Sequence, residues 1–390
     1  MTKNYNALDT LTPTIPAHWY YDPAQYQTEL REIWGRHWLY VCKAETLDEP
    51  GAFRTMKIGD QNVVIIRTSD GALAAYHNAC RHRGSLLFTE PSGVARGKTI
   101  TCPYHQWCYA ADDGRLVATT SFQEPEGFDK SDFGLFPVAL KIWRSLVFIN
   151  LDKDAAWSDD AFIEDGAALL KNFPIEDLVV GATWSKRINC NWKTYWDNYN
   201  ECLHCPETHP ALTALVPIYK RGLLDEKDRP DWRDHASNPD PKYRGGVVDG
   251  AETWSTDGSA QGVSMNGLSE EDIARRVTYA DLPPSTYVAI HMDHGRVVRF
   301  LPRGPEEIEL SIDWLFTKDA LADPSYDKTR FTDFLIKVQE EDGVVCELNQ
   351  QGMHAAPFEQ GVLMPEEYGL KSMHDWIRAQ LANVPAPPAR

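Results

Sequence analysis

Residues 197–209 read Asp-Asn-Tyr-Asn-Glu-Cys-Leu-His-Cys-Pro-Glu-Thr-His, crowding imidazoles, thiols and carboxylates into one short stretch. Glu201 stands three residues before His204, and His209 follows soon after. Two imidazoles leave a divalent metal short of protein ligands, so a third must come from elsewhere in the chain. Two histidines and one carboxylate with open positions form the donor set of non-haem Fe(II) oxygen chemistry. A candidate third donor lies far downstream, in a long helix expected over residues 326–353. There Phe331, Phe334, Leu335, Val338, Val345, Cys346 and Asn349 trace one inward stripe, and Asp342 falls on it. A carboxylate on a buried stripe is costly unless it is paired or coordinates a metal. An arginine or helix N–H groups would be the alternative partners.

Residues 191–205 are predicted as one aromatic helix, on which Asp197, Glu201 and His204 fall at i, i+4 and i+7 and so share a face. Pro206 is expected to break that helix and let His209 swing back towards His204. Cys202 and Cys205 also spell a Cys-x-x-Cys, the spacing of a redox dithiol or a zinc knuckle. A thioredoxin-type motif follows a strand and opens a helix, whereas this one closes a helix.

A second cluster lies upstream, in Cys80-Arg-His82 and Cys102-Pro-Tyr-His105. Two thiolates and two imidazoles satisfy structural zinc, but zinc modules usually take Cys-Cys from one knuckle and His-His from another. Here each loop gives one of each, which is what a Rieske [2Fe–2S] centre requires, with both thiolates on one iron and both imidazoles on the other. Cys108 matches no ligand position and is expected to pack. Arg81 and Arg83 are placed either around the cluster or at the surface.

The elements that must hold these groups follow from texture. After an irregular start, Asp22-Pro23 opens a helix through Glu29 to Trp34, with Asp as N-cap and proline at the first position. Residues 38–150 carry short apolar runs such as Val63-Val64-Ile65-Ile66 and Leu146-Val147-Phe148-Ile149, separated by turn signals, and read as an all-β unit. A helical pattern covers residues 161–172, and a strand covers 182–190. Residues 221–270 are polar and read as a long excursion or lid. Antiparallel strands are expected at 286–293, 296–301 and 307–316, then the Asp342 helix, then an amphipathic helix over 366–381 and a Pro/Ala tail.

Composition bounds the partners. Against 57 Asp and Glu the chain has 39 Lys and Arg, a net charge of −18 that argues against nucleic acid or an anionic membrane surface. The first residues lack a basic-then-apolar signal pattern, and no apolar run approaches the ~20 residues that span a bilayer. A cytoplasmic location is therefore expected, with the cysteines as thiols or metal ligands rather than a disulfide framework. No Gly-x-Gly-x-x-Gly or flavin segment is present, so electrons from NAD(P)H are expected through a separate flavin- or ferredoxin-type reductase.

The two Cys/His loops with the glycine after Arg83, Trp107 and the Asp113-Gly114-Arg115-Leu116 hairpin resemble the Rieske domain of ring-hydroxylating oxygenase α subunits. The resemblance continues through Asn191-Trp192-Lys193, Asp197-Asn198-Tyr199, Cys202-x-His204-Cys205-Pro206 and the segment from Glu341 to Gln350. It implies an α+β chain, with an all-β Rieske [2Fe–2S] domain at 38–150 and a helix-grip catalytic domain with an antiparallel sheet at 151–390. Residues 1–37 would be an N-terminal helical segment packing with the latter. It implies Cys80, His82, Cys102 and His105 as cluster ligands, and His204, His209 and Asp342 as ligands of a mononuclear Fe(II). Glu201 departs from the family's commoner Asp at the position that bridges to a Rieske histidine of a neighbouring subunit in a homotrimer. Glutamate there, with the Cys-Pro phrase, resembles the branch acting on carnitine and betaines. The implied activity is that of a terminal oxygenase that uses O2 to hydroxylate, N-demethylate or cleave a quaternary ammonium substrate. An aromatic ring-hydroxylating dioxygenase is the alternative, and a non-catalytic Rieske electron carrier a more distant one.

Overall fold

The computed structural model describes residue 8, residues 10–95, residue 97, residues 99–158, residues 169–217, residue 219 and residues 246–382. Most of the helix expected over 161–172, the 221–245 part of the excursion and the tail from residue 383 lie outside these. The chain divides into two compact units, one of residues 34–158 and the other of residues 1–33 with 159–390.

The first unit is β-structure. Leu73–His77, Gln61–Arg67, Ala52–Ile58 and Ser92–Val94 form a four-stranded antiparallel sheet in that order. Ala139–Trp143, Leu146–Asn150 and Leu39–Lys43 form a second sheet, and Thr99–Thr101, Cys108–Ala110 and Leu116–Ala118 a third. The runs Val63–Ile66 and 146–149 are wholly buried, as their lack of polar residues requires. One apolar core gathers Phe53, Val64, Tyr76, Leu87, Ile100, Tyr109 and Leu116 together with Cys80 and Cys102. Gly114 turns the last hairpin with φ +73°, and a Cβ there would strike the Tyr76 ring at 2.7 Å.

The second unit wraps a five-stranded antiparallel sheet against the long helix Thr329–Gly352. Its strand order is Val179–Ile188, Glu307–Phe316, His294–Gly304, Thr286–Ile290, Thr278–Leu282. The sheet gains the strand Thr278–Leu282, whose five residues are too few for their period-two alternation to stand out. His294 belongs to a strand rather than to the expected turn, and residues 291–293 make the connection instead. Gly343 faces Ile188 of the sheet, where a Cβ would make an ordinary contact at 3.5 Å. The described part of the excursion is packed, not open. Trp254, Ala260 and Met265 are buried, and the Thr253 hydroxyl donates to Asp293 at 2.8 Å.

The N-terminal segment packs within this unit. Asp22 caps the helix Pro23–Glu29 by accepting from the Ala24 N–H, and a π turn over Leu30–Trp34 completes the expected helix. Glu29, fully buried, accepts from the Lys193 ammonium at 2.7 and 2.8 Å and from the Trp192 indole at 2.7 Å. Among the described residues no helix is long and apolar enough to cross a membrane.

Candidate metal centres

The helix carrying the downstream motif is shorter than its pattern suggests. It runs Trp192–Tyr199, capped by Asn191, and Asn200 closes it with its side-chain amide on the Trp196 carbonyl at 2.8 Å. Glu201 and His204 therefore sit in the turn beyond it, not at i+4 and i+7 of one helical face. Pro206 breaks nothing, since it lies in the first turn of a new short helix, Cys205–Thr208, where a missing N–H costs little. The turn also joins Cys202 and Cys205, Cα atoms 5.0 Å apart, in a disulfide. Their expected state as thiols is thereby corrected: a tight turn between the two helices brings the sulfurs together.

Three predicted donors converge. The Nε2 atoms of His209 and His204 lie 2.9 and 3.4 Å from the same atom, Oδ1 of Asp342. Asp342 is buried on the long helix as its stripe required, and the Gln339 amide holds its other oxygen at 3.0 Å. Val345 and Asn349 leave the stripe, being partly buried and exposed, while Gln350 is buried. Glu201 is outside the convergence. Its Oε1 takes the opposite ring nitrogen of His204, Nδ1, at 2.5 Å, and its Oε2 accepts from the Leu203 N–H. Glu341 does the same for His209 Nδ1 at 2.9 Å.

These contacts test whether a metal fits. A carboxylate on each Nδ1 holds a proton there and leaves the Nε2 lone pair as the acceptor, that of His204 also facing the Asn198 amide at 3.2 Å. Two such lone pairs and a carboxylate oxygen then face one another in a buried place, an arrangement that repels unless a cation sits among them. Without a metal, a proton serves. Burial pushes His204 down, but the hydrogen bonds to Asp342 and Glu201 override it and raise its pKa to about 9. His209 is likewise pushed down by burial and raised overall by Asp342 and by the hydrogen bond to Glu341. Burial pushes the Asp342 carboxyl up, and the two histidines more than reverse this, leaving it below its usual value. The residues fit a divalent metal. Cys205, although near both histidines, is committed to its disulfide.

Glu341, Gln339 and Tyr195, whose hydroxyl donates to Gln339 at 2.5 Å, were not foreseen. The acidic run Glu340-Glu341-Asp342 was the only signal, and adjacent helix positions point about 100° apart, so the run alone did not show that two of its members face the histidines.

The upstream set also fits its group. Cys80 and Cys102 are buried with their sulfurs in mutual contact, and the Tyr109 hydroxyl lies 3.1 Å from the Cys80 sulfur. His82 and His105 lie outward with ring centroids 4.7 Å apart, His82 exposed and stacked on Trp107. Thiols inward and imidazoles outward suit a cluster whose two irons differ in ligands. Arg81 does not line this set. Its guanidinium donates to the Gly134 and Asp132 carbonyls and stacks on Phe136 at 4.0 Å. Cys108 packs against Thr101, away from the four.

Comparison with known proteins matches a family to each of the two units. Residues 37–131 match the Rieske [2Fe-2S] domain, and residues 175–383 match the ring hydroxylating alpha subunit (catalytic domain). The glycine betaine monooxygenase oxygenase subunit of Chromohalobacter salexigens is 28% identical over 93% of this chain and 84% of its own. The carnitine monooxygenase oxygenase subunit of Escherichia coli is 34% identical over 56% of this chain and 58% of its own. A solved quaternary ammonium Rieske monooxygenase superposes with a TM-score of 0.73 at 21% identity, covering 97% of this chain and 98% of that one. Naphthalene 1,2-dioxygenase from Rhodococcus does so with 0.72 at 20% identity, covering 95% of each, so the fold is common to both chemistries. The chain belongs to the ring-hydroxylating α-subunit family of Rieske non-haem iron oxygenases, oxidoreductase subunits whose cofactors are a [2Fe–2S] cluster and a mononuclear iron and whose electrons come through a reductase partner.

Proposed function

We propose that this chain is a terminal oxygenase that oxidises a quaternary ammonium compound of the betaine type. His204, His209 and Asp342 hold its iron, and Cys80, His82, Cys102 and His105 hold its cluster. The observation that carries the proposal is the convergence of two Nε2 atoms on Asp342 Oδ1, with Glu201 behind His204. When bound, the iron activates O2 with electrons passed from the cluster. The protein's part is to hold and to gate. Glu201 and Glu341 fix both imidazole tautomers, Gln339 and Tyr195 fix the Asp342 carboxylate, and His209 and Asp342 are buried while His204 lines a cavity.

Glu201 is proposed as the bridge from His204 to His82 or His105 of a neighbouring subunit in a homotrimer, and the exposure of His82 supports that role. Residues 38–150 are proposed as the cluster domain and 151–390, with the 1–37 segment, as the catalytic domain. The reductase is proposed to be of flavin or ferredoxin type, and the setting cytoplasmic. The relatives named for glycine betaine and carnitine support the substrate class. Tyr199 stacked on Tyr287 at 4.0 Å, with Trp196 edge-on at 5.3 Å, offers faces of the kind that attract N-methyl cations.

Hydroxylation of an N-methyl group consumes O2, two electrons and two protons, releases water, and leaves a carbinolamine that expels formaldehyde. The oxygenase with a compatible reductase, NADH and a panel of trimethylglycine, carnitine, choline and aromatic acids tests this by mass spectrometry. Aldehyde release from an ammonium substrate is expected. A cis-diol from an aromatic acid, with the ammonium compounds untouched, overturns the reading.

A further inference from the structure

Arg296, on the strand His294–Gly304, is 3% exposed, yet among the described residues no carboxylate lies within ion-pair distance of it. Its guanidinium donates to His291 Nε2 at 2.8 Å and to the Tyr279 hydroxyl at 3.5 Å. It rests over the Trp254 ring at 5.3 Å and the Tyr279 ring at 6.0 Å. Its Nε donor has no acceptor, and neither has the indole N–H of Trp254, itself 4% exposed. Two buried donors without acceptors, one on a guanidinium and one on the indole ring it rests over, require an explanation, and a buried cation without an anion is costly.

The neighbours do not supply the missing charge. His291 gives Nδ1–H to the Arg276 carbonyl and accepts from Arg296 with Nε2, so it is neutral. Burial, His294 and Arg296 hold its pKa well below the ordinary value. Asp293 is taken at Oδ1 by Thr253 and His294 while its Oδ2 has no partner, and Asp281, exposed on its strand, accepts from Tyr199 at 2.9 Å; neither reaches Arg296. The place is contiguous with the iron site. Tyr279 lies 6.2 Å from Tyr199, Tyr199 stacks on Tyr287, and the hydroxyl of Tyr287 is within electrostatic reach of both Arg296 and Asp342.

We infer that Arg296 Nε and Trp254 Nε1 form a carboxylate-binding subsite that anchors the acid end of a zwitterionic substrate while its N-methyl end meets the tyrosine faces nearer Asp342. The inference rests on the proposed function and sharpens it. The substrate is an N-methylated carboxylic acid, and an amino alcohol such as choline lacks the group this subsite reads. A guanidinium with an adjacent N–H donor offers a carboxylate two directed, charge-assisted hydrogen bonds.

Calorimetric binding to the holoenzyme tests this with three probes, trimethylglycine, choline and benzoate. For Arg296→Gln a loss of about a hundredfold is expected with trimethylglycine, within the range for leaving a buried charge unpaired, and choline affinity should move less than about threefold. Trp254→Phe, which keeps the ring and removes only the donor, should shift trimethylglycine in the same direction by about tenfold. The cluster's visible spectrum and the melting temperature of both variants should match the parent. Equal losses for trimethylglycine and choline, or no loss in either variant, overturn the subsite. Wild-type protein that binds benzoate through Arg296 but neither ammonium compound upholds the subsite and removes the quaternary ammonium reading. Benzoate binding indifferent to both substitutions, with no ammonium binding, removes both.

Discussion

At the scale of single residues, the centre depends on which nitrogen of each histidine carries its proton. Glu201 and Glu341 hold the Nδ1 side, so a conservative change that keeps shape but loses charge is the informative one. Glu201→Gln should keep iron and cluster spectra and lose turnover by about ten- to a hundredfold, in line with the usual cost of an outer partner of a metal ligand. Undiminished steady-state activity in that variant would remove Glu201 from the electron path. The metal-free protein should also report the proton that stands in for the cation. The folded pKa of His204, raised to about 9 from 6.5, gives stability that is fully present below about pH 6.5 and lost as pH rises through about 9. Asp342, depressed below 3.8, stays ionised throughout that window and does not oppose the trend. Melting temperatures of metal-free protein should therefore fall from pH 6.5 to 9, and added divalent metal should stabilise more as pH rises because it displaces a proton. A flat metal-free profile would contradict the tautomer assignment. His204, His209 and Asp342 were legible in the sequence because a carboxylate on an apolar stripe calls for a partner. Arg296 was not, since its isolation from any acid depends on strands that the sequence does not place together.

At the scale of elements, the sequence located most helices and strands and misjudged several ends. The stretch 191–205 keeps a helical aromatic pattern, but the Asn200 side chain takes the Trp196 carbonyl and stops the helix at Tyr199. Local side-chain to backbone bonds of this kind compete with helix continuation and leave no trace in hydrophobic period. The helix of Asp342 was legible because its burial follows the period over many turns. What fastens the N-terminal helix to the catalytic helix was invisible, namely the pair between Glu29 and Lys193, both fully buried. Removing one member strands the other charge, so Glu29→Ala should destabilise this unit by about 3–5 kcal/mol in denaturant unfolding. A loss below about 1 kcal/mol, the scale of an exposed pair, would show that water reaches the site.

At the scale of the whole molecule, two units each carry a set of donors suited to a different iron chemistry, one with thiols, one with a carboxylate. The change in sequence texture near Trp38 falls a few residues after Trp34, where the β-structured unit begins. The proposed exchange of electrons between copies depends on the Glu201 bridge and on an assembly, neither of which a single sequence specifies. The most direct test of the account is iron and acid-labile sulfide per chain in purified wild type and Asp342→Ala. Wild type should be brown, with about three irons and about two sulfides, as one cluster and one mononuclear site require. Asp342→Ala should lose about one iron and keep its sulfide and visible spectrum. A colourless zinc-loaded protein, or an Asp342→Ala variant with undiminished iron, would contradict it.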